Sequence, residues 1–328
     1  MEMNRVLKKT LVLMLTMILL FVFPGCTRNP AEVTFVLDWT PNTNHTGIYV
    51  ALDMGYFEDA GLDVEIIQPA EGTAEQLVAA GTAQFGISYQ ENVTFARAQG
   101  MPIVSLAAVI QHNTSGFISM KDEGIMSPAD FEGKKYGGWG TEIEETTVKY
   151  LMEQNGADPS KVEIVTMGDT DFFASADAGE VDFSWVFAGW TLMDARIKGY
   201  DVNYFDMVDY SEVFDYYTPV IIASEDSINN NKKMVEQFMA AAAKGYEYAI
   251  ENPENAARIL LKYAPELDES LVMESQAYLA DKYIEDAPYW GFQDKAVWDR
   301  YTNWLLENGF IDEQLDTGKA FTNEYLND

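Results

Sequence analysis

Cysteine, histidine and basic residues are scarce in this sequence. Its 328 residues include one cysteine and two histidines, and 53 acidic residues outnumber 21 lysines and arginines, which gives a formal net charge of −32. A single cysteine excludes disulfides within the chain and zinc sites built from cysteines. Two histidines are too few for a histidine-rich metal centre. Because nucleic-acid binding needs a basic face, we expect no nucleic-acid partner.

Recognisable catalytic motifs are missing as well. The sequence contains no Gly-x-Ser-x-Gly, no Walker phosphate loop and no His-Glu-x-x-His. Acidic residues are so numerous that spacing alone singles out no catalytic pair. Residues 137–141 are glycine-rich at a predicted helix start, but no lysine follows them to hold a phosphate. The sequence therefore predicts no enzyme, no cofactor and no metal site.

The first 25 residues have the pattern of an export signal. A basic start is followed by an apolar run over residues 11–23, which only Thr16 interrupts, and then by Pro24 and Gly25. The run is too short for a comfortable membrane span, so we interpret residues 1–25 as a secretory signal peptide. A true membrane anchor is the alternative interpretation.

The lone cysteine directly follows this signal. Cys26 stands where a bacterial lipoprotein carries its lipid, although Phe23 and Pro24 replace the usual leucine and small residue. We expect cleavage before Cys26, lipidation of Cys26, a linker over residues 26–32, and a lipid-anchored protein on the extracytoplasmic face of the cell membrane. A lipid tether also suits a chain whose negative charge would repel an anionic membrane surface. A free thiol after a different cut is the alternative.

Strand and helix patterns alternate through the next 190 or so residues. Short apolar strands such as 33–37 and 84–88 are separated by helices that end at glycines, which predicts parallel sheets built from βαβ units. From residue 232 onward only helical patterns remain. We therefore expect an α/β fold with two lobes. Lobe 1 comprises residues 33–119 and 223–328, including the C-terminal helices, and lobe 2 comprises residues 120–222.

Four predicted strand ends combine aromatic with polar side chains, two in each predicted lobe. Ligands of open parallel sheets bind beyond the carboxyl ends of strands. A flat heteroaromatic ligand needs aromatic faces for stacking and polar groups that contact its edge. These junctions and the predicted return to lobe 1 supply the candidate binding residues Asp38, Trp39, Asn42, His45, Tyr89, Gln90, Trp139, Trp190, Asp194 and Tyr217.

Each candidate also has a structural interpretation. A tryptophan can belong to the core, and Asp38 and Asn42 can cap the helix that follows them. His45 can be a hydrogen-bonded residue of a first helical turn, and Asp194 can be a solvated surface residue. These alternatives stay open at the level of sequence.

Several segments resemble the thiamine-pyrimidine-precursor family of solute-binding proteins. They are residues 37–47 (LDWTPNTNHTG), 85–92 (FGISYQEN), 137–141 (GGWGT) with Glu144, and 189–191 (GWT). The resemblance covers essentially the whole mature chain. It implies a type II periplasmic-binding-protein fold whose two lobes close over a ligand cleft. It also implies a monomer that delivers its ligand to the permease and ATPase subunits of an ABC importer.

The resemblance further implies the ligand and the roles of the candidates. The ligand would be an aminopyrimidine, either the hydroxymethyl form or its formylaminomethyl salvage precursor. Aromatic walls would come from Trp39, Tyr89, Trp139 and Trp190, and contacts to the ring edge from Asp38, Asn42, Gln90 and Asp194.

Three alternatives accompany this interpretation. Relatives with shared motifs bind sulfonates or riboflavin, and a sensor lobe that recruits a protein partner is another possibility for the fold. Fungal relatives are enzymes that make the pyrimidine phosphate with a lysine, a histidine and a cysteine-rich run. Here the corresponding positions resemble Ser88, Asn92 and residues 214–219, which lack those groups.

Overall fold

The computed structural model describes residues 30–69, 72–168 and 170–326. The predicted signal peptide and Cys26 lie outside these residues. Within them, ten strands form two five-stranded sheets: β1 Ala31–Val36, β2 Leu62–Ile67, β3 Phe85–Ser88, β4 Ile103–Ala108, β5 Ser115–Met120, β6 Lys135–Gly138, β7 Glu163–Thr166, β8 Phe183–Phe187, β9 Val202–Asp206 and β10 Val220–Ser224.

Helices connect and cover the strands. In the part of the chain that the structure describes they are α1 Thr46–Asp53, α2 Tyr56–Asp59, α3 Ala74–Ala79, α4 Gln90–Ala98, α5 Glu142–Gln154, α6 Phe172–Asp177, α7 Met193–Lys198, α8 Glu225–Asn230, α9 Lys232–Glu251, α10 Pro253–Tyr263, α11 Glu269–Lys282 and α12 Lys295–Glu307. None of the helices in this part is both long and apolar enough to cross a membrane.

Both sheets have the same plan. The first has the strand order β2-β1-β3-β10-β4 and the second β7-β6-β8-β5-β9. In the first sheet, β1 pairs in parallel with β2 and β3. In the second sheet, β6 pairs in parallel with β7 and β8. In each, the strand that arrives from the other sheet runs antiparallel to both of its neighbours. The predicted α/β class is confirmed, but the sheets are mixed rather than purely parallel.

The chain crosses between the sheets earlier than the sequence predicts. β5 pairs with β8 and β9, so the chain has entered lobe 2 by Ser115, and β10 pairs with β3 and β4, so it has returned to lobe 1 by Val220. The crossings are therefore residues 109–114 and 215–219. The borders predicted at 119/120 and 222/223 cut through β5 and β10, because an apolar pattern identifies a strand without revealing its partner.

The last two helices contact both lobes, although the sequence assigns them to lobe 1. On α12, Trp298 lies in a core cluster of lobe 1, whereas Trp304 lies in the core of lobe 2. On α11, Val272 lies in the lobe 1 core and Leu271 in a lobe 2 cluster. These helices join the lobes at two places besides the crossings.

The longest helix in the described part of the chain, α9, buries one face, which includes Val235, Phe238, Met239, Ala242 and Tyr246. The ring of Phe238 stacks on the ring of Phe85, and the two ring centroids are 3.9 Å apart. In its C-terminal half, α9 packs closely against α1, and Gly245 lies at the point of contact. A Cβ at position 245 would lie 2.0 Å from the carbonyl oxygen of Gly47. The close contact fixes the loop that precedes α1, which carries several candidate residues.

Gly245→Ala should therefore lower the free energy of unfolding by about 1–3 kcal/mol, as overpacking of a well-packed contact does. The clash is with backbone, so no rotamer change relieves it. Urea denaturation measures the effect. Lys244→Ala, on the exposed side of the same helix, is the control and should change stability by less than about 0.5 kcal/mol. Equal midpoints for Gly245→Ala and the wild type would contradict the packing argument.

Candidate functional site

A cavity of about 730 Å³ lies between the two lobes. Its wall comes from the loops after β1 and β3 in lobe 1, from the loops after β6, β7 and β8 in lobe 2, from both crossings and from α11. A site of roughly 300–1,000 Å³ is typical for a small-molecule ligand. The four junctions that the sequence singles out all contribute to it. The candidates that line it are Asp38, Trp39, Asn42, Tyr89, Trp139, Trp190 and Asp194.

One carboxylate in the cavity is held by two hydrogen-bond donors. The Nε2 atom of His45 lies 2.7 Å from Oδ1 of Asp38, and the hydroxyl of Tyr89 donates to Oδ2. The Asp38 side chain is only 9% exposed. Burial by itself would raise the pKa of Asp38, but the contacts of its carboxylate with His45 and Tyr89 hold that pKa below its usual value. The cavity therefore contains a fixed, ionised carboxylate.

The phenol of Tyr89 remains protonated in this arrangement. Burial, followed by the neighbouring Asp38 charge, holds the pKa of Tyr89 well above its ordinary value. Tyr89 stands at the N-cap of α4 without a side-chain cap bond. Its hydroxyl instead donates to Asp38, so the loop after β3 is hydrogen-bonded to the loop after β1.

Three of the predicted tryptophans, Trp39, Trp139 and Trp190, line the cavity. Trp39 in lobe 1 is 55% exposed and Trp139 in lobe 2 is 48% exposed, which is unusual for such large apolar groups. Trp190 is half-buried and packs against core clusters of both lobes. It lies on one turn of π-helix, Ala188–Leu192, a conformation that is frequent at functional sites.

The loop that carries Trp139 is fixed by a buried carboxylate. Glu144 accepts the hydroxyl of Tyr136 at 2.8 Å, the backbone N–H of Trp139 at 3.1 Å and that of Thr141 at 3.0 Å. Thr141 in turn caps α5 and completes a capping box with Glu144. The sequence places Glu144 only at the positive end of its helix, and its role in holding this loop needs the tertiary structure.

A hydroxyl chain connects the lobes beside the cavity. Ser275 on α11 donates to the backbone carbonyl of Gly189 in lobe 2. Its Oγ also lies 2.6 Å from Oγ1 of Thr43 in lobe 1. Because the single proton of Ser275 is given to Gly189, Thr43 is the donor in the second bond. These two hydrogen bonds connect the turn that carries Trp190 to the loop after β1.

Three further acidic residues line the cavity, namely Asp171, Asp194 and Asp268. Asp194 forms an ion pair with Lys198 through one carboxylate oxygen, at 2.8 Å. Asp171 and Asp268 each accept a backbone N–H as the N-cap of their helix. Lys198 is the only basic residue among the described lining residues.

Three candidates have roles other than contact with the cavity. His45 is fully buried behind Asp38. Gln90 accepts the backbone N–H of Tyr217 at 2.9 Å and donates to the carbonyl of Val297 at 3.3 Å. The Tyr217 hydroxyl accepts the backbone N–H of Asp294 at 2.7 Å. Gln90 and Tyr217 therefore join the second crossing to α4 and α12 instead of lining the cavity as predicted.

Asn42 is an intermediate case. It lines the cavity, but its Oδ1 accepts the backbone N–H of Asn44 at 2.9 Å and its Nδ2 donates to the carbonyl of Thr40 at 3.1 Å. Both amide atoms thus stabilise the turn before α1. The capping interpretation of Asn42 is the one that the structure supports.

Several lining residues are not among the candidates predicted from the sequence. Ser184 and Trp185 lie inside β8, and Thr114 and Thr218 lie in the crossings. The sequence of a buried strand such as β8 (FSWVF) does not show which of its side chains face a cavity, and no local pattern marks the two threonines of the crossings. Asp171 could have been predicted as a lining residue, because it lies in the loop after β7. Ligands of open parallel sheets bind beyond the carboxyl ends of strands.

Comparison with known proteins gives the following similarities. The family model described as NMT1/THI5 like matches residues 42–256. The formylaminopyrimidine-binding protein of Halalkalibacterium halodurans is 30% identical over 96% of this chain and 99% of its own length. A 4-amino-5-hydroxymethyl-2-methylpyrimidine phosphate synthase of Legionella pneumophila is 25% identical over 91% of this chain and 93% of its own.

Solved structures give the fold. The periplasmic aliphatic sulphonate binding protein SsuA of Escherichia coli has a TM-score of 0.70 to this chain at 14% identity, over 89% of this chain and 97% of SsuA. This similarity confirms the predicted periplasmic-binding-protein fold with its two lobes.

Proposed function

Because the chain belongs to the NMT1/THI5-like family, we propose that it is a substrate-binding protein whose ligand is an aminopyrimidine precursor of thiamine. One observation carries the ligand class: the fixed carboxylate of Asp38 shares a cavity with the faces of Trp39, Trp139 and Trp190. A flat ring stacks on the aromatic faces, and the N–H groups at its edge donate to Asp38. The 30% identical relative that is named for binding formylaminopyrimidine supports the same ligand class.

The mechanism in this proposal is binding without chemistry. Each lobe contributes an exposed tryptophan, and a ligand that contacts both lobes favours the closed arrangement by its differential affinity. The closed protein then delivers the ligand to an ABC permease, which is driven by ATPase subunits on other chains. We place the protein on the extracytoplasmic face of the membrane as a monomer, held by a lipid on Cys26.

Synthase activity is the less supported alternative. The positions that resemble the lysine and histidine of the fungal enzymes are Ser88 and Asn92, and both donate to the buried carboxylate of Glu75. Neither residue lines the cavity. Without an amine at these positions no Schiff base can form, and residues 214–219 contain no cysteine.

Anionic ligands are also less supported. Among the described lining residues Lys198 is the only cation and is already paired with Asp194, while Asp38, Asp171 and Asp268 add negative charge. A sulfonate or a pyrimidine monophosphate would enter this field without a compensating cation. Riboflavin, which is larger and uncharged, is the alternative that the cavity volume permits.

Isothermal titration of the purified protein tests the proposal. The titrants are hydroxymethyl-aminopyrimidine, its formylaminomethyl analogue, the pyrimidine monophosphate, riboflavin and taurine. We expect tight binding of one neutral pyrimidine and weak binding of the monophosphate. Binding of riboflavin or taurine with silence for both pyrimidines would replace the ligand class, and equal affinity for the monophosphate would contradict the argument from charge.

Trp139→Ala should weaken pyrimidine binding by about 1–2 kcal/mol, the scale of stacking between a base and an aromatic side chain. Trp139 is half exposed, so its removal leaves no core void and the melting temperature should change little. Met126→Ala removes an equally exposed apolar side chain of lobe 2 that does not line the cavity. The control should bind like the wild type. Loss of affinity in the control, or none in Trp139→Ala, would argue against a wall at Trp139.

A further inference from the structure

His45 has two ring nitrogens with two different partners. It is fully buried and lies behind Asp38, away from the cavity. Its Nδ1 atom lies 3.2 Å from the backbone nitrogen of Asn42, and its Nε2 atom lies 2.7 Å from Oδ1 of Asp38. The two contacts together fix the position of the ring proton.

The backbone contact selects the tautomer. The N–H of Asn42 can only donate, so Nδ1 of His45 must accept and carries no proton. The single ring proton is therefore on Nε2 and points at Asp38. The contact between His45 and Asp38 is thus a hydrogen bond from a neutral imidazole to a carboxylate.

The carboxylate is then held from behind at both oxygens. His45 donates to Oδ1 and Tyr89 donates to Oδ2, and each carboxylate oxygen keeps a further acceptor position. Because Asp38 also lines the cavity, those positions are the ones available to a ligand. A ligand must therefore bring N–H or O–H donors to this edge, whereas a carbonyl oxygen there would face a carboxylate without a proton between them.

We propose that His45 is a positioning residue: its neutral Nε2–H tautomer, set by the backbone of Asn42, holds Asp38 as an ionised acceptor and thereby selects ligands with a donor edge. The proposal rests on the function proposed above and specifies how the same site chooses its substrate class. It assigns a role to a residue that does not touch the ligand, and that role is visible in pH dependence.

Several charged or titratable groups face this cluster. Tyr89 is influenced by the carboxylates of Glu75 and Glu91 besides Asp38, and Tyr246, on α9, is influenced by the charge of Asp38. Within the described residues, no lysine or arginine forms an ion pair with Asp38. Burial raises the pKa of Asp38, and the hydrogen bonds from His45 and Tyr89 lower it. Removal of His45 deletes one of these hydrogen bonds and therefore raises that pKa.

The experiment compares His45→Ala with His45→Gln. A glutamine amide supplies an N–H in place of Nε2–H, and alanine supplies none. Association constants for the hydroxymethyl-aminopyrimidine are measured by titration calorimetry from pH 5 to 8 and expressed as the ratio of wild type to variant at each pH, which cancels the ligand's own protonation. For His45→Ala the ratio should rise by up to about tenfold for each pH unit below the raised pKa of Asp38. For His45→Gln it should stay nearly flat.

A measurement without ligand separates this proposal from the proposed function. Carbon-13 NMR follows the titration of the Asp38 carboxyl in the free wild type and both variants, and nitrogen-15 spectra of the wild type report the His45 tautomer directly. A higher titration midpoint in His45→Ala, with rescue in His45→Gln, supports the positioning role even if no pyrimidine binds and the ligand class falls. If His45→Ala does not fold, the proposal is still tested by the tautomer of His45 in the wild type and by the titration of the Asp38 carboxyl in His45→Gln.

Two results would overturn the proposal. One is an equal loss of affinity by His45→Ala at every pH with an unchanged Asp38 titration, because that is what a purely structural residue gives. The other is a doubly protonated or Nδ1-protonated His45 in the wild type at neutral pH.

Discussion

Asp38→Asn should reduce affinity for the aminopyrimidine by about 100-fold, or about 3 kcal/mol, which is the upper range for hydrogen bonds to a charged group. The amide has nearly the shape of the carboxylate but only one acceptor oxygen. Its NH2 group would face either the Nε2–H of His45 or the hydroxyl of Tyr89, and both of these donate. The ligand also loses its charged acceptor. Calorimetric titration at neutral pH measures the loss.

Asp201→Asn is the matched control for charge. Asp201 pairs with Lys121 on the exposed surface of lobe 2 and does not line the cavity. Its substitution removes the same unit of negative charge, and we expect affinity within about twofold of the wild type, since surface ion pairs contribute little. A similar loss in both variants would attribute the effect to overall charge and not to the Asp38 carboxylate.

The stability of Asp38→Asn should depend on pH in a defined direction. The folded-state pKa of Asp38 is lowered, so the ionised group stabilises the fold above its ordinary pKa, and this contribution disappears as the pH falls through the lowered value. Asp38→Asn should therefore be less stable than the wild type at neutral pH and approach it in acid. Denaturation curves across pH that stay a constant distance apart would contradict this account.

Trp190→Ala should produce the second large effect, a loss of affinity of about 2–3 kcal/mol together with reduced stability. The side chain lines the cavity and also packs against core clusters of both lobes. Truncation removes a stacking surface and leaves a void where the lobes meet, and such voids cost free energy beyond the lost transfer term. Calorimetry and thermal unfolding report the two effects separately.

Trp190→Phe is the control that separates the two roles. Phenylalanine keeps an aromatic face and fills part of the volume, so it should recover most of the stability and part of the affinity. A folded Trp190→Ala protein with unchanged affinity would make Trp190 a core residue only. The comparison with Trp139→Ala is informative as well, because Trp139 is exposed and should lose affinity without losing stability.

The aromatic and acidic strand ends illustrate how far local sequence reaches. Trp39, Trp139 and Trp190 each follow a predicted strand, and all three line the cavity. This part was predictable because the carboxyl ends of parallel strands in a sheet lie at one edge, whatever the rest of the chain does. The α/β class and the two lobes follow from the alternation of strand and helix patterns, whereas the family was predicted from the resemblance of motifs such as residues 37–47.

The polar candidates show where this reasoning stops. The amide groups of Asn42 and Gln90 could hydrogen-bond to a ligand, but in the structure they form hydrogen bonds with backbone atoms of other residues. Which partner a buried amide finds depends on what the fold brings within about 3 Å of it. That proximity involves residues as distant in sequence as Gln90 and Val297.

The sequence by itself determined the alternation of strands and helices, the strand ends that carry ligand-type side chains, and the scarcity of cations that disfavours an anionic ligand. These are properties of short windows and of composition. Tertiary structure alone decided that the chain crosses the lobes at 109–114 and 215–219, that α11 and α12 join them, and that His45 lies behind Asp38 instead of in the cavity. Strand pairing and buried hydrogen bonds depend on which distant segments meet, and a one-dimensional pattern does not contain that information.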